Sequence, residues 1–108
     1  MIPAARGHAV LQESTPAAHA KLNGANSPVR LKFNLRVDGK RSRLILIRPD
    51  RTTQTIALES QPSPSELIGA LGNLAAGDYV IRWQVLADDG HISRGEVPFA
   101  VVAVTPPR

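Results

Sequence analysis

Apolar and polar residues alternate with a period of two along most of this chain. Val29, Leu31, Phe33, Leu35 and Val37 are interleaved with Arg30, Lys32, Asn34 and Arg36, which predicts a strand with one face in a core and the other in water. Asp38-Gly39 then signals a tight turn. Leu44 to Ile47 reads as a short buried strand stopped by Pro49-Asp50, and Thr52 to Leu58 carries Thr and Ile at strand-like spacing. Gln61 to Ser65 holds two prolines and reads as loop. Ser65 to Leu71 fits either one or two helical turns or a strand. The clearest strand follows: Tyr79, Ile81, Trp83 and Val85 point one way, and Val80, Arg82, Gln84 and Leu86 the other. A turn at Asp88-Asp89-Gly90 leads to a closing strand with Val97, Phe99, Val101 and the smaller Ala103 on one face. At the other end, a first strand begins at His8-Ala9-Val10-Leu11.

Roughly six to eight short strands separated by turn signals predict an all-β sandwich. The run Leu74-x-x-Gly77-x-Tyr79 resembles a tyrosine corner, in which the phenol ties back to an upstream backbone group. Trp83 lies four residues on and on the same face, as the central core filler. The chain has 108 residues, room for one domain. Aromatics are confined to Phe33, Tyr79, Trp83 and Phe99, so the core must be largely aliphatic.

Cysteine is absent, which excludes thiolate metal sites, thiol nucleophiles and disulfides. No apolar run approaches the ~20 residues of a membrane-spanning helix. Met1 to Gly7 lacks an apolar stretch and reads as a signal-peptide remnant or an appended segment. The domain is then expected over residues 8–104, with 105–108 as tail. The net charge of +4 is unevenly spread. Arg30, Lys32, Arg36, Lys40, Arg41, Arg43, Arg48 and Arg51 stand against only Asp38 and Asp50 in that stretch. Such a stretch steers anionic partners. Nucleic acid is disfavoured, because no stacking aromatics are interleaved with the charges. No nucleophile–base arrangement or Gly-rich phosphate loop is present, so the chain does not read as an enzyme.

Candidate chemistry rests on histidines. His91 follows the glycine turn, where Asp89 and His91 present a carboxylate and an imidazole to one point. That pair suits Cu(II), Zn(II) or Ni(II), although an Asp-Gly-His turn by itself is more often ordinary loop chemistry. His8 adds to it. If cleavage makes His8 the first residue, its α-amine and ring Nδ1 chelate one metal together. With His91 and Asp89 this makes three nitrogens and one oxygen, the tetragonal preference of Cu(II). The amine must be deprotonated to coordinate, and its ordinary pKa of ~8 makes affinity fall at lower pH. His19, in the Pro16 to Asn26 loop, has no partner at ligand spacing and reads as a surface histidine. Asp88 reads as a turn residue beside the ligand, with an exchange of roles with Asp89 as the alternative.

These stretches resemble the CopC family of copper-resistance proteins. His8-Ala9-Val10-Leu11 with Ser14-Thr15-Pro16-Ala17 is similar to its opening His-Ala-x-Leu…Ser-x-Pro-Ala, and Val29-Arg30-Leu31-Lys32-Phe33 to its Val-x-Leu-x-Phe strand. Leu74 through His91 is similar to Leu-x-x-Gly-x-Tyr-x-Val-x-Trp-x-Val-x-x-x-Asp-Gly-His, with Ile81 in place of the first valine. Gly95-x-x-x-Phe99-x-Val101 also fits. The resemblance implies an immunoglobulin-like, Greek-key β-sandwich of about seven strands. It also implies a monomeric periplasmic carrier, peripheral to the membrane at most, with a CopD-type inner-membrane copper transporter as partner. The implied Cu(II) ligands are His8, Asp89 and His91.

Two departures stand out. Where many family members read Phe-Ser-Glu, this chain reads Phe33-Asn34-Leu35, so leucine replaces a carboxylate near the copper site. The methionine-rich Cu(I) loop of some members is missing, Met1 being the sole methionine. The rival reading is an immunoglobulin-like interaction domain with a lapsed copper site, whose face of Arg30, Lys32 and Arg36 binds an anionic partner.

Overall fold

A computed structural model of the chain describes residues 9–24 and 26–103. They form eight strands: β1 (Leu11–Thr15), β2 (Ala20–Leu22), β3 (Pro28–Phe33), β4 (Arg43–Ile47), β5 (Thr53–Ile56), β6 (Glu66–Ala70), β7 (Gly77–Leu86) and β8 (Ile92–Val101). One sheet has three strands in the order β1-β3-β6, and the other has five in the order β2-β8-β7-β4-β5. The chain passes repeatedly between the two, as in an immunoglobulin-like sandwich.

The period-two pattern decides which side of each strand faces inward. Tyr79, Ile81, Trp83 and Val85 of β7 are all buried, and so are Val97, Phe99 and Val101 of β8. They meet Val29, Leu31 and Phe33 of β3 and Leu67 of β6 across the sandwich. Burying each large aliphatic side chain contributes about 1.5–3 kcal/mol. The four aromatics pair within this core. Phe33 and Trp83 pack edge to face with centroids 5.1 Å apart. Tyr79 stacks on its cross-strand partner Phe99 at 5.5 Å. The Tyr79 hydroxyl donates to the Ala75 carbonyl at 2.7 Å, completing the tyrosine corner.

Trp83 needs room that its neighbour supplies. Its register partner on β8 is Gly95, and a Cβ at Gly95 would stand 2.2 Å from Trp83 Cζ2. The glycine is a packing requirement, since the indole occupies the space of the missing side chain.

Several boundaries differ from the sequence pattern. β1 starts at Leu11 rather than at His8, and His8 itself lies outside the described residues. β3 ends at Phe33, so the alternation up to Val37 outlasts the strand. Asp38-Gly39 does not close a hairpin, because β3 and β4 belong to different sheets. Asp38 instead caps a short 3-10 turn at Gly39–Arg41, accepting from the Lys40 and Arg41 amides. β5 covers only Thr53–Ile56 of the expected Thr52 to Leu58. Ala103 is exposed and lies past the end of β8. The Pro16 to Asn26 segment contains β2, which pairs in parallel with β8. The ambiguous Ser65 to Leu71 segment resolves as strand β6, antiparallel to β3. Gly69 sits there because a Cβ would come within 2.8 Å of the Ala57 carbonyl oxygen.

At the start of β6, Glu66 is buried. Its carboxylate pairs with the Arg30 guanidinium and accepts from Ser63 Oγ at 2.8 Å. Arg30 first, and Ser63 next, hold the Glu66 carboxyl below its ordinary value of 4.5. A depressed carboxylate stabilises the fold above its unfolded-state pKa, and that contribution disappears as the pH falls through the folded-state value. Urea melts should therefore show Glu66→Gln flattening the loss of stability on acidification below about pH 4.5. Gly95→Ala should cost about 1–3 kcal/mol at neutral pH through overpacking against Trp83.

Candidate metal centre

β7 and β8 form the longest antiparallel pair, in register from Gly77↔Val101 to Leu86↔Ile92. The hairpin joining them carries the candidate donors. The Gly90 amide donates to the Ala87 carbonyl at 2.9 Å, and the Ala87 amide to the His91 carbonyl at 2.8 Å. Gly90 has φ +91°. This is a three-residue loop of the turn-plus-left-handed-residue kind, and Asp88-Asp89-Gly90 encodes it locally. Glycine supplies the positive φ without steric cost.

The turn brings Asp89 and His91 together. Asp89 Oδ1 accepts from the His91 backbone amide at 3.1 Å and lies 3.1 Å from His91 Nδ1. Both residues are exposed. The His91 amide bond, more than the imidazole, holds the Asp89 carboxyl below its ordinary value of 3.8. Asp89 is thus an anion at neutral pH.

Asp88 is directed elsewhere, its carboxylate 3.2 Å from Arg36 Nε. That pair follows from the path of the chain after β3. Val37 bridges Ala87, and the Asp38 amide donates to the Leu86 carbonyl at 2.8 Å. Ser42 Oγ accepts from the Leu86 amide at 3.2 Å. The segment after β3 is therefore stitched to the end of β7. Leu35 consequently lines one small depression with Arg36, Ala87, Asp88 and Asp89. The residue that departs from the family pattern stands beside the candidate carboxylate.

His8 lies outside the described residues, but the chain that leaves it does not. The Ala9 amide donates to Ser93 Oγ at 2.8 Å, two residues past His91. Asn34 grips the next residue twice: its Oδ1 accepts from the Val10 amide at 2.8 Å, and its own amide donates to the Val10 carbonyl at 3.0 Å. Sequence reasoning passed over both tethers. Asn34 read as one more polar position on the wet face of β3, and nothing local marks Ser93.

His19 is far from this hairpin along β8. Its amide donates to the Pro98 carbonyl, and it is exposed at the entry to β2 with φ +66°. Among the described residues no three His, Cys, Asp or Glu side chains converge on a point. The turn brings only the pair Asp89 and His91 together among these. The basic residues of β3 and the segment after it are largely compensated: Arg30 pairs with Glu66 and stands 4.0 Å from Glu13, and Arg36 pairs with Asp88.

The CopC domain model matches residues 11–102. The protein YobA of Escherichia coli K12 is 29% identical over 102 residues, covering 92% of this chain and 82% of its own. The crystal structure of CopC from Methylosinus trichosporium OB3b superposes with a TM-score of 0.80 at 26% identity, over 94% of this chain and all of that one. PcoC from Escherichia coli, described as a methionine-rich copper resistance protein, shares the fold at a TM-score of 0.67 and 24% identity, over 88% of this chain and 99% of its own.

A Cβ on Gly90 meets nothing within 4 Å, so only the backbone conformation opposes substitution. Gly90→Ala should lower stability by about 1 kcal/mol in chemical denaturation, and NMR should show its perturbation confined to the Ala87–His91 amides.

Proposed function

Because the chain belongs to the CopC family, we propose that it carries a single Cu(II) ion in copper homeostasis and resistance, held by His8, Asp89 and His91. The observation that carries this reading is the hairpin tip, where Asp89 Oδ1 and His91 Nδ1 lie 3.1 Å apart next to the anchored start of the chain. Ala9 is tied to Ser93, and one peptide bond separates it from His8. A His8 exposed by cleavage adds an α-amine and an imidazole to the set. Nitrogen-rich donors with one carboxylate oxygen suit Cu(II).

The hairpin lies at the end of the sandwich and its donors are exposed, an arrangement for receiving and releasing an ion. Membership of the CopC family favours carriage over catalysis as its role. Leu35 in the adjoining depression supplies no second carboxylate, so the site carries less negative charge than one with the family's glutamate and holds the ion more weakly. With no methionine after Met1, soft-ligand Cu(I) transfer within the chain has no donor, and the protein works with Cu(II) alone. That suits an oxidising periplasm, where a CopD-type inner-membrane transporter is the receiving partner of a monomeric carrier.

Copper titration of protein beginning at His8, followed by electron paramagnetic resonance, tests the assignment. One equivalent should give a tetragonal, nitrogen-rich signal. His91→Ala and His8→Ala should each weaken binding by about tenfold or more, with His19→Ala unchanged. Equal loss in all three variants, or in none, would reject the ligand set.

A further inference from the structure

The outer face of the five-stranded sheet carries a second feature, unrelated to the hairpin donors. Gln84 on β7 is directly opposite Arg43 on β4 and Arg94 on β8, and Arg82 is opposite Ile45 and Glu96. Residues in register share a sheet face, so three arginines from three strands meet there. They surround a depression of about 400 Å³ that Ile45, Trp83 and Gln84 also line.

The charges in this depression are only partly compensated. Arg82 Nη2 pairs with Glu96 at 3.1 Å. Arg94 donates from Nε to the neutral Gln84 Oε1 at 2.8 Å, which orients its guanidinium without neutralising it. Among the described residues neither Arg43 nor Arg94 has an acidic partner. Arg30 on β3 of the opposite sheet and Arg36 in the segment after it contrast with this, because Glu66 and Glu13 stand against the first and Asp88 against the second. The uncompensated positive surface of the sandwich therefore includes β4 and β8.

We propose that this depression docks an acidic segment of a partner protein, with Asp or Glu carboxylates on Arg43 and Arg94 and an apolar side chain against Ile45. Three features favour a polypeptide. All three cations are arginines, whose planar forks take carboxylates in bidentate fashion. The charges converge on a depression with a half-buried isoleucine in its lining, which fits a side chain better than a flat charged sheet of head groups. Glu96 and Asp78 are exposed on the same strands, and an anionic bilayer pressed over that face would meet them. None of these residues is a proposed copper ligand, so the docking surface stands or falls independently of the metal site.

The test uses the full chain and a fluorescent Glu-Glu-Leu-Glu-Glu peptide, read by anisotropy at low ionic strength. Arg43→Gln/Arg94→Gln should weaken peptide binding by about tenfold, whereas Lys32→Gln/Lys40→Gln, which removes the same charge, should change it by less than about twofold. In wild-type protein the peptide should shift the amide resonances of Arg82, Gln84 and Arg94. Three results would overturn the proposal: no binding to wild-type protein, equal weakening in the two double variants, or binding to phosphatidylglycerol vesicles in place of the peptide. All substituted residues except Lys32 are exposed on the surface. Circular dichroism of each variant confirms that the fold is retained.

Discussion

The indole of Trp83 in the space left by Gly95 is the contact on which the sandwich depends. Gly95 Cα and Trp83 face each other across the longest strand pair, and Phe33 closes on the ring edge from the other sheet. A Cβ at position 95 would clash with the indole at 2.2 Å, so the two cannot share this space unless the packing shifts. Aliphatic residues fill the remaining volume, but they pack around a position that one glycine and one tryptophan decide together. The same strand reaches the tyrosine corner at its start and the donor hairpin at its end.

The hairpin is paired along its whole base and exposed at its tip. The ladder of β7 and β8 runs to Leu86↔Ile92, and only Asp88, Asp89, Gly90 and His91 project beyond Ala87. The Arg36–Asp88 pair draws one carboxylate aside, leaving Asp89 beside His91. Two hydrogen-bonded anchors, Ser93 and Asn34, fix the chain where it enters the fold. The sandwich thereby sets Ala9 beside Ser93, two residues from the hairpin tip.

Charge follows the same logic. The sequence places most of its basic residues between positions 30 and 51, as though they formed one surface. The fold divides that run between two sheets, because β3 and β4 lie on opposite layers. Acids from β1 and β6 meet Arg30 of the first layer, and the hairpin tip meets Arg36 just past its end. Arg43 of the second layer instead joins Arg82 and Arg94 from the far end of the chain. Linear clustering and spatial clustering of charge are thus different properties in this protein.

Local pattern alone determined a good deal. Period-two alternation identified the inward residues of β3, β7 and β8, Leu74-x-x-Gly77-x-Tyr79 announced the tyrosine corner, and Asp88-Asp89-Gly90 announced the turn that joins Asp89 to His91. These are legible because strand pleating and glycine's tolerance of positive φ act over two to five residues. Tertiary structure decided the rest. It made Glu66–Ala70 a strand by pairing it with β3, found β2 inside a segment that reads as loop, and ended β3 at Phe33 where the chain leaves its sheet. It also set Leu35 beside Asp89 and tied Ala9 to Ser93, residues 84 positions apart. No local window contains both members of such a pair, so only the packed sandwich brings them together.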